Sequence, residues 1–463
     1  MANTQNLEQF RQEVYQNFNK RADTLMDLLD ALCSQTQASS VVELSLESCF
    51  PRSYSALFKA IDEYRPKDGD LAKLAGPSLP LPEQRPFWLL GVDVTPQPRP
   101  YARTLKERGF VYQPTLIWGN KPLTIGHQYS TVALLPEKNA EHPAPWVVPL
   151  ASQRVKLEES KVLTGAAQVE ALLADEQLPF HGQLTVEVGD SDYAQPIFLA
   201  ANRKHRHLVS LVRCRGNRVF NRLACRSAEE TGGAPSYYGE PFKLKDPSTW
   251  GEPDEATSLP FISRRGARYQ VVLQAWHNLI MQGKHKPTRI RMHAHPFTLV
   301  RITLLDEDGQ PRFKHPLWLL VVGEHRHELS LEDIHQAYAQ RSNLEHFFRF
   351  GKQKLLLADY QTPEVAREER WWQLAHLAYL QLWVAHETAT CLPRPWERSL
   401  PQQKSSTISP TLVQRDFERL IAQFGTPARA PKPRGKSPGR KKGFRLASRP
   451  PRKVLKKGEI PPS

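Results

Sequence analysis

Hydrophobic positions along the chain change period twice. From about Gln9 to Leu32, Phe10, Val14, Phe18, Leu25, Leu28, Leu29 and Leu32 recur at helical spacing. After Pro51, Tyr54, Leu57, Phe58 and Ile61 mark a further short helix, so two or three short helices are expected before Arg65. Residues 73–86 are rich in Pro, Gly and Ser and set a boundary after a helical region over 1–72. Beyond it the pattern turns to strands. Phe87–Val94 reads as a mostly buried strand that delivers Asp93 at its end, and 125–135 and 146–150 read as two more. A helix is expected over 162–173, then a strand over 184–189 that ends directly in Asp190.

Residues 203–325 are strand-dominated, with apolar runs at 208–212, 269–273, 298–305 and 317–322 separated by Gly-, Pro- and Ser-rich connectors. Helix returns at Ser330, a favourable N-cap with Asp333 three residues on, and is expected to continue to about Leu357. A second helix follows over roughly 365–390. Strands with interleaved helices imply an α/β sheet, in which chemistry collects at strand ends. No internal repeat is visible.

Composition narrows the class. A chain of 463 residues has ample length for a core, and its five cysteines include no CxxC pair and cannot be a disulfide framework. No apolar run approaches the roughly 18 residues of a membrane span, and the N-terminus shows no secretory signal. A soluble, reduced, cytoplasmic protein is expected. The net charge of +15 is concentrated at one end: residues 426–463 hold thirteen Lys and Arg, one acid and eight prolines. Such a segment buries too little apolar surface to offset its ordering entropy, so it is expected to be disordered. A flexible polycation gains affinity for a phosphate backbone through counterion release, which points to nucleic acid.

The helix after Ser330 carries Tyr338, Arg341, Glu345 and Lys352. At about 100° per residue all four share an arc about 60° wide. A carboxylate flanked by two cations and a phenol makes a poor core face. It suits a site where an acid holds a metal while its neighbours grip phosphate oxygens. Read alone, Arg341 and Glu345 are equally an (i, i+4) surface pair. Asp93 and Asp190 change the balance: acids at neighbouring strand ends do not ionise together cheaply without a cation between them, and Mg²⁺ prefers such hard oxygen ligands.

Tyr338-x2-Arg341-x3-Glu345-x6-Lys352 resembles the Y-R-E-K signature of bacterial insertion-sequence transposases of the DDE class. Gly91–Thr95 and Gly189–Tyr193 resemble the two aspartate motifs of the same family, and the resemblance spans roughly 87–363. It implies a ribonuclease-H-like catalytic domain, in two parts over 86–202 and 326–400, around a β-rich insertion over 203–325. A helical, DNA-binding region over 1–72 and a linker with a basic disordered tail over 401–463 complete the expected layout. By position, Asp93, Asp190 and Glu345 would be the catalytic metal ligands, and Tyr338, Arg341 and Lys352 would contact terminal DNA. Asp192 is the fallback for Asp190, although the Asp-x-x-Tyr spacing to Tyr193 favours Asp190. The implied activity is cleavage at mobile-element ends and strand transfer into target DNA. It would use Mg²⁺, with Mn²⁺ able to substitute, in a homodimer on DNA within the nucleoid. The rival readings are a metal-dependent nuclease without strand transfer and an inert, transposase-derived DNA-binding protein.

Other signals carry less. Three His-x-His pairs (His205/His207, His293/His295, His325/His327) and Cys214 with Cys225 match no familiar zinc spacing. The arginines flanking the first pair suggest a phosphate-facing strand instead. Cys33, Cys49 and Cys391 read as core thiols, and Trp250, Trp276 and Trp318 as strand-core residues. Neither GxxxxGK[ST] nor Gly-x-Ser-x-Gly occurs, which removes the simplest nucleotide-motor and serine-hydrolase readings.

Overall fold

A computed structural model describes residues 2–113, 122–138, 145–224, 237–263, 265–282, 284–285, 290–391, 408–433, 439, 441–445, 447–456 and 459. The elements run α1 (Ala2–Asn17), α2 (Ala22–Ser34), α3 (Tyr54–Glu63), α4 (Asp70–Ala75), β1 (Trp88–Pro98), β2 (Gly109–Tyr112), β3 (Leu123–Leu134) and β4 (Val148–Val155). They continue with α5 (Lys161–Ala174), β5 (Thr185–Gly189), α6 (Pro196–Asn202), β6 (Leu208–Cys214), β7 (Val219–Leu223), β8 (Tyr238–Lys243), β9 (Glu255–Ile262) and β10 (Arg268–Leu279). Then come β11 (Lys284–His285), β12 (Ile290–Arg291), β13 (Phe297–Leu305), β14 (Leu317–Val322), α7 (Leu331–Gln340), α8 (Ser342–Lys354), α9 (Val365–Cys391) and α10 (Pro410–Phe424).

One mixed sheet organises the chain, in the order β2-β3-β1-β5-β6-β14-β13-β10-β9, with β4 also on β3. β1 is antiparallel to β3 but parallel to β5, and β5 is parallel to β6. β1 opens with an unbroken buried run because helices cover both of its faces. Successive residues Gly91 and Val92 point to opposite sides. A side chain at Gly91 would meet Leu344 of α8, whereas Val92 lies against Gly165 of α5. Within 203–325, β14 pairs antiparallel with β6, and β13, β10 and β9 follow outward, so these strands extend the same sheet, whereas β7–β8 and β11–β12 form two separate two-stranded sheets.

The helices before the sheet join the helices after it. α1, α2 and α3 pack on α9, and α2 also meets α10. Arg11 of α1 and Asp30 of α2 form a buried ion pair at 2.5 Å, and Gln381 of α9 donates to the same Asp30 carboxylate at 3.1 Å. α9 is tied to the sheet in turn. Its buried Glu368 accepts from the Tyr129 hydroxyl at 3.1 Å and meets His127 Nδ1 at 2.6 Å.

Several expectations are corrected by this packing. The helical run over 9–32 is two helices, broken at Arg21, whose φ of 53° is left-handed. The boundary at 73–86 does not divide the core, because Leu71, Ala72, Leu74 and Ala75 of α4 are buried in a cluster continuous from Leu7 to Ile421. The helix from Ser330 has the expected capping box, but it is α7 and α8 meeting at Arg341. Residues 401–463 include α10, whose Val413, Phe417 and Leu420 are buried at helical spacing.

The tail is not wholly disordered either. Leu455 is only 4% exposed and bridges to Gly109 at the start of β2. Its backbone N–H donates to Arg108 O at 2.9 Å, and that of Arg452 donates to Arg103 O at 2.8 Å. Arg449 pairs with Glu364 at 2.7 Å. Leu455 thus finds a sheet edge within a basic segment, and backbone carbonyls before β2 accept the N–H groups of Leu455 and Arg452. The expected disorder over 434–438 and 460–463 concerns positions outside the described residues.

Candidate active site

Asp93 and Asp190 meet through strand register. Gly91 of β1 pairs with Val188 of β5 in the parallel ladder, so continuing that register by two residues brings Asp93 beside Asp190. Asp93 shares the face of Gly91, the side covered by α8. One of its oxygens accepts from the Val94 N–H at 2.7 Å. Burial raises the Asp93 pKa to about 7; the Asp190 charge adds to the rise, and the Arg341 guanidinium opposes it.

The junction of α7 and α8 supplies the cations. Arg341 lies 3.5 Å from the Asp93 carboxylate and donates to Glu345 at 2.6 Å. Burial works against its charge, but Asp93, Tyr338 and Glu345 outweigh it and raise its pKa. Arg341 therefore joins an acid within β1 to a helix acid one turn away. Glu345 itself stays 54% exposed on its side chain, turned to Arg341. Tyr338 is partly covered, and burial raises its phenol pKa. Lys352, two turns beyond Glu345, points to the strand: its Nζ donates to Thr95 Oγ1 at 2.7 Å and to Pro96 O at 2.9 Å. Burial lowers its pKa to about 8, with Asp93 acting the other way.

Asp190 and Asp192 face different partners. Asp190 Oδ1 accepts the Asp192 N–H at 2.8 Å, closing a turn at the end of β5. Asp192 is held instead by Lys161 at the start of α5 and by Arg215 beyond β6, the latter at 3.0 Å. Burial works against the Asp192 charge, yet Lys161 and Arg215 hold its pKa below the usual range. Tyr193 is fully buried under the turn, edge-on to Phe198 with centroids 4.9 Å apart, and its hydroxyl has no hydrogen-bond partner among the described residues. Burial, then Asp93 and Asp190, push its pKa well up. A Cβ at Gly189 would lie 3.0 Å from Tyr193 Cβ and Cγ, closer than an ordinary contact, so the turn packs tightly against β5.

Sequence reasoning missed Lys161 and Arg215. The arginines near the His205/His207 pair had suggested a phosphate-facing strand, but only the β5–β6 pairing brings the far end of β6 beside Asp190.

Among the described residues, no three His, Cys, Asp or Glu side chains stand close enough to clasp a metal ion. The chemistry of the donor set nevertheless fits a divalent cation. Asp93 and Asp190 stand side by side, burial and then the Asp190 charge raise the Asp93 pKa, and a guanidinium supplies the positive charge between Asp93 and Glu345.

The remaining signals fall elsewhere. His205 and His207 precede β6, whereas Cys214 ends it about 20 Å along the strand, so they form no common site. His207 stacks on His325 at 5.2 Å, and His295 Nδ1 lies 3.2 Å from Arg203 Nε. Cys225 lies outside the described residues. Trp250, Trp276 and Trp318 pack on one another with centroids 5.2–6.1 Å apart. Among the described residues no helix is long and apolar enough to cross a membrane.

An acid within β1 beside one that follows β5, in a large mixed sheet, defines an α/β protein with a carboxylate site. The chain belongs to the DDE superfamily of endonucleases, whose family model matches residues 13–279. That span contains Asp93 and Asp190 and ends before Tyr338, Arg341, Glu345 and Lys352. It begins within α1, which agrees with the packing of the N-terminal helices into one core. Membership implies DNA as the substrate and a divalent metal as the cofactor class. No similar protein is found among curated sequences.

Proposed function

We propose that this chain is a transposase that cuts DNA at the ends of a mobile element and joins the freed 3′ ends to target DNA. The observation that carries the reading is the placement of Asp93 beside Asp190 by strand register, with Arg341 bridging from Asp93 to Glu345. The strand order β4-β3-β1-β5-β6, three antiparallel and then two parallel, supports a ribonuclease-H-like catalytic domain.

Asp93, Asp190 and Glu345 would hold Mg²⁺, or Mn²⁺ in its place. The ions supply a lowered pKa for the attacking hydroxyl and positive charge for the leaving oxygen of an in-line displacement. In this reading Arg341 exchanges its two carboxylate partners for phosphate oxygens as DNA enters, which frees Glu345 to turn inward. Tyr338 borders the same opening and orients the backbone. Lys352 holds α8 against the end of β1 and keeps a cation near the cleaved phosphate. Both ends of an element are processed together, so a homodimer on DNA is expected, with the basic tail adding a grip independent of sequence.

The test is a cleavage and joining assay with Mg²⁺ or Mn²⁺ on the DNA that flanks the gene, comparing the native protein with Glu345→Gln. The expected result is cutting at a defined end and joined product, both abolished in the variant. Cutting without joining would replace the proposal with a nuclease. Equal activity in the variant would remove Glu345 from the site.

A further inference from the structure

A second group of cations stands beside the acids, at the carboxyl ends of β5 and β6. Ser191, Asp192, Gln195, Cys214, Arg215 and Arg218 line a cleft there of about 200 Å³. Its position is tied to Asp190, since Asp192 donates its N–H to that carboxylate and Gln195 donates to Asp192 O at 2.7 Å. Within the cleft the Asp192 carboxylate is divided between two cations. One oxygen meets Lys161 and the other meets Arg215. Arg218, on the same wall, has a long contact to Met281 Sδ at 3.9 Å. An exposed guanidinium and an ammonium converging on one carboxylate also make a geometry suited to two oxygens of a phosphodiester.

We propose that Lys161, Arg215 and Arg218 form a binding site for a backbone phosphate of the DNA next to the cleaved bond, and that Asp192 fills this site until DNA displaces it. The proposal rests on the reading of Asp190 as the second catalytic acid and gives Asp192 a separate task. Asp192 is an internal anion that holds Lys161 and Arg215 together in the free protein, while Arg218 lines the same cleft. A phosphodiester offers acceptor oxygens in several directions, so it can take the two cations that Asp192 releases and reach Arg218 as well.

Fluorescence anisotropy without divalent metal, on a duplex of the DNA flanking the gene, tests this over a range of salt. Arg215→Ala and Arg218→Ala are each expected to reduce the slope of log affinity against log salt by up to about 0.9, the share of one phosphate. Asp192→Asn should bind about two- to fivefold tighter, the scale of a partly exposed ion pair. Glu170→Gln, which removes an equal charge paired with Lys204 on the outer side of α5, should show no such gain. The gain from Asp192→Asn should also vanish in the Arg215→Ala background.

Unchanged slopes, or equal effects of Asp192→Asn and Glu170→Gln, would overturn the proposal. So would an Asp192→Asn protein that binds normally but loses metal-dependent cleavage, which would make Asp192 the second acid. If the native protein cuts no DNA with any metal while the slopes still change, the phosphate site stands and the transposase reading falls. Thermal melting of each variant separates a binding defect from a folding defect.

Discussion

Leu344 occupies the space that a side chain at Gly91 would take: a Cβ on Gly91 would lie 2.7 Å from Leu344 Cδ1. This contact sets how closely α8 approaches β1, and so how near Arg341 and Glu345 stand to Asp93. Gly91→Ala should therefore push the helix outward. Overpacking of this kind costs about 1–3 kcal/mol of stability. Cleavage should fall further than DNA binding, because the acids separate while surface cations stay in place. Melting temperature together with cleavage and anisotropy assays checks this, and unimpaired cleavage would show that the approach of α8 is not limiting.

The raised pKa of Asp93, about 7 against an ordinary value of 3.8, makes a signed prediction for the metal-free protein. The folded state holds this proton more tightly than the unfolded chain does. The contribution of Asp93 to stability is therefore full below about pH 4 and disappears as pH rises through about 7. Asp93→Asn should melt higher than the native protein at alkaline pH, with the difference closing toward acid. A divalent metal should stabilise the native protein more as pH rises, since the ligands must be deprotonated, and should do little for the variant.

Tyr193 buries a hydroxyl with no partner among the described residues, beneath the turn that carries Asp190. Removing an unsatisfied polar group relieves a desolvation cost. Tyr193→Phe is expected to be at least as stable as the native protein, by up to about 1 kcal/mol, and to keep its cleavage activity. A denaturant titration and a cleavage assay check both parts. Abolished activity with intact stability would assign the hydroxyl a role at the acids.

Docking of the tail rests on Leu455 against Gly109. Leu455→Asp should release the segment, and hydrogen exchange at the Leu455 and Arg452 amides should rise to that of free chain. Global melting should change little, because the core lies elsewhere. Truncation before Thr426 should weaken DNA binding and flatten its salt dependence by about 0.9 for each phosphate that the tail neutralises. An unchanged slope would show that the tail does not touch DNA.

Local signals were legible in the sequence. A buried strand carrying Asp93, another ending just before Asp190, a helix opened by Ser330 and the spacing of Tyr338, Arg341, Glu345 and Lys352 all follow from short-range periodicity and capping. β1 nevertheless runs on to Pro98 along β3, so Asp93 lies within the strand and not at the end that the run 87–94 suggests. Periodicity and capping act within a few residues, so they can be read before the fold is known. The tight turn joining Asp190 to Asp192 is local as well, and the acid favoured by its spacing to Tyr193 is the one beside Asp93.

What the chain does across long separations was decided by tertiary structure alone. The pairing of β6 with β14 makes β14, β13, β10 and β9 continue the main sheet, and the register of β1 on β5 sets Asp93 beside Asp190. That Lys352 turns to Thr95, and that Lys161 and Arg215 close on Asp192, depends on which ends of which strands become neighbours. The tail shows the limit most clearly. Its composition argues for disorder, because composition counts apolar area without position. A single Leu455 is held where a sheet edge offers both an apolar niche and unpaired backbone acceptors.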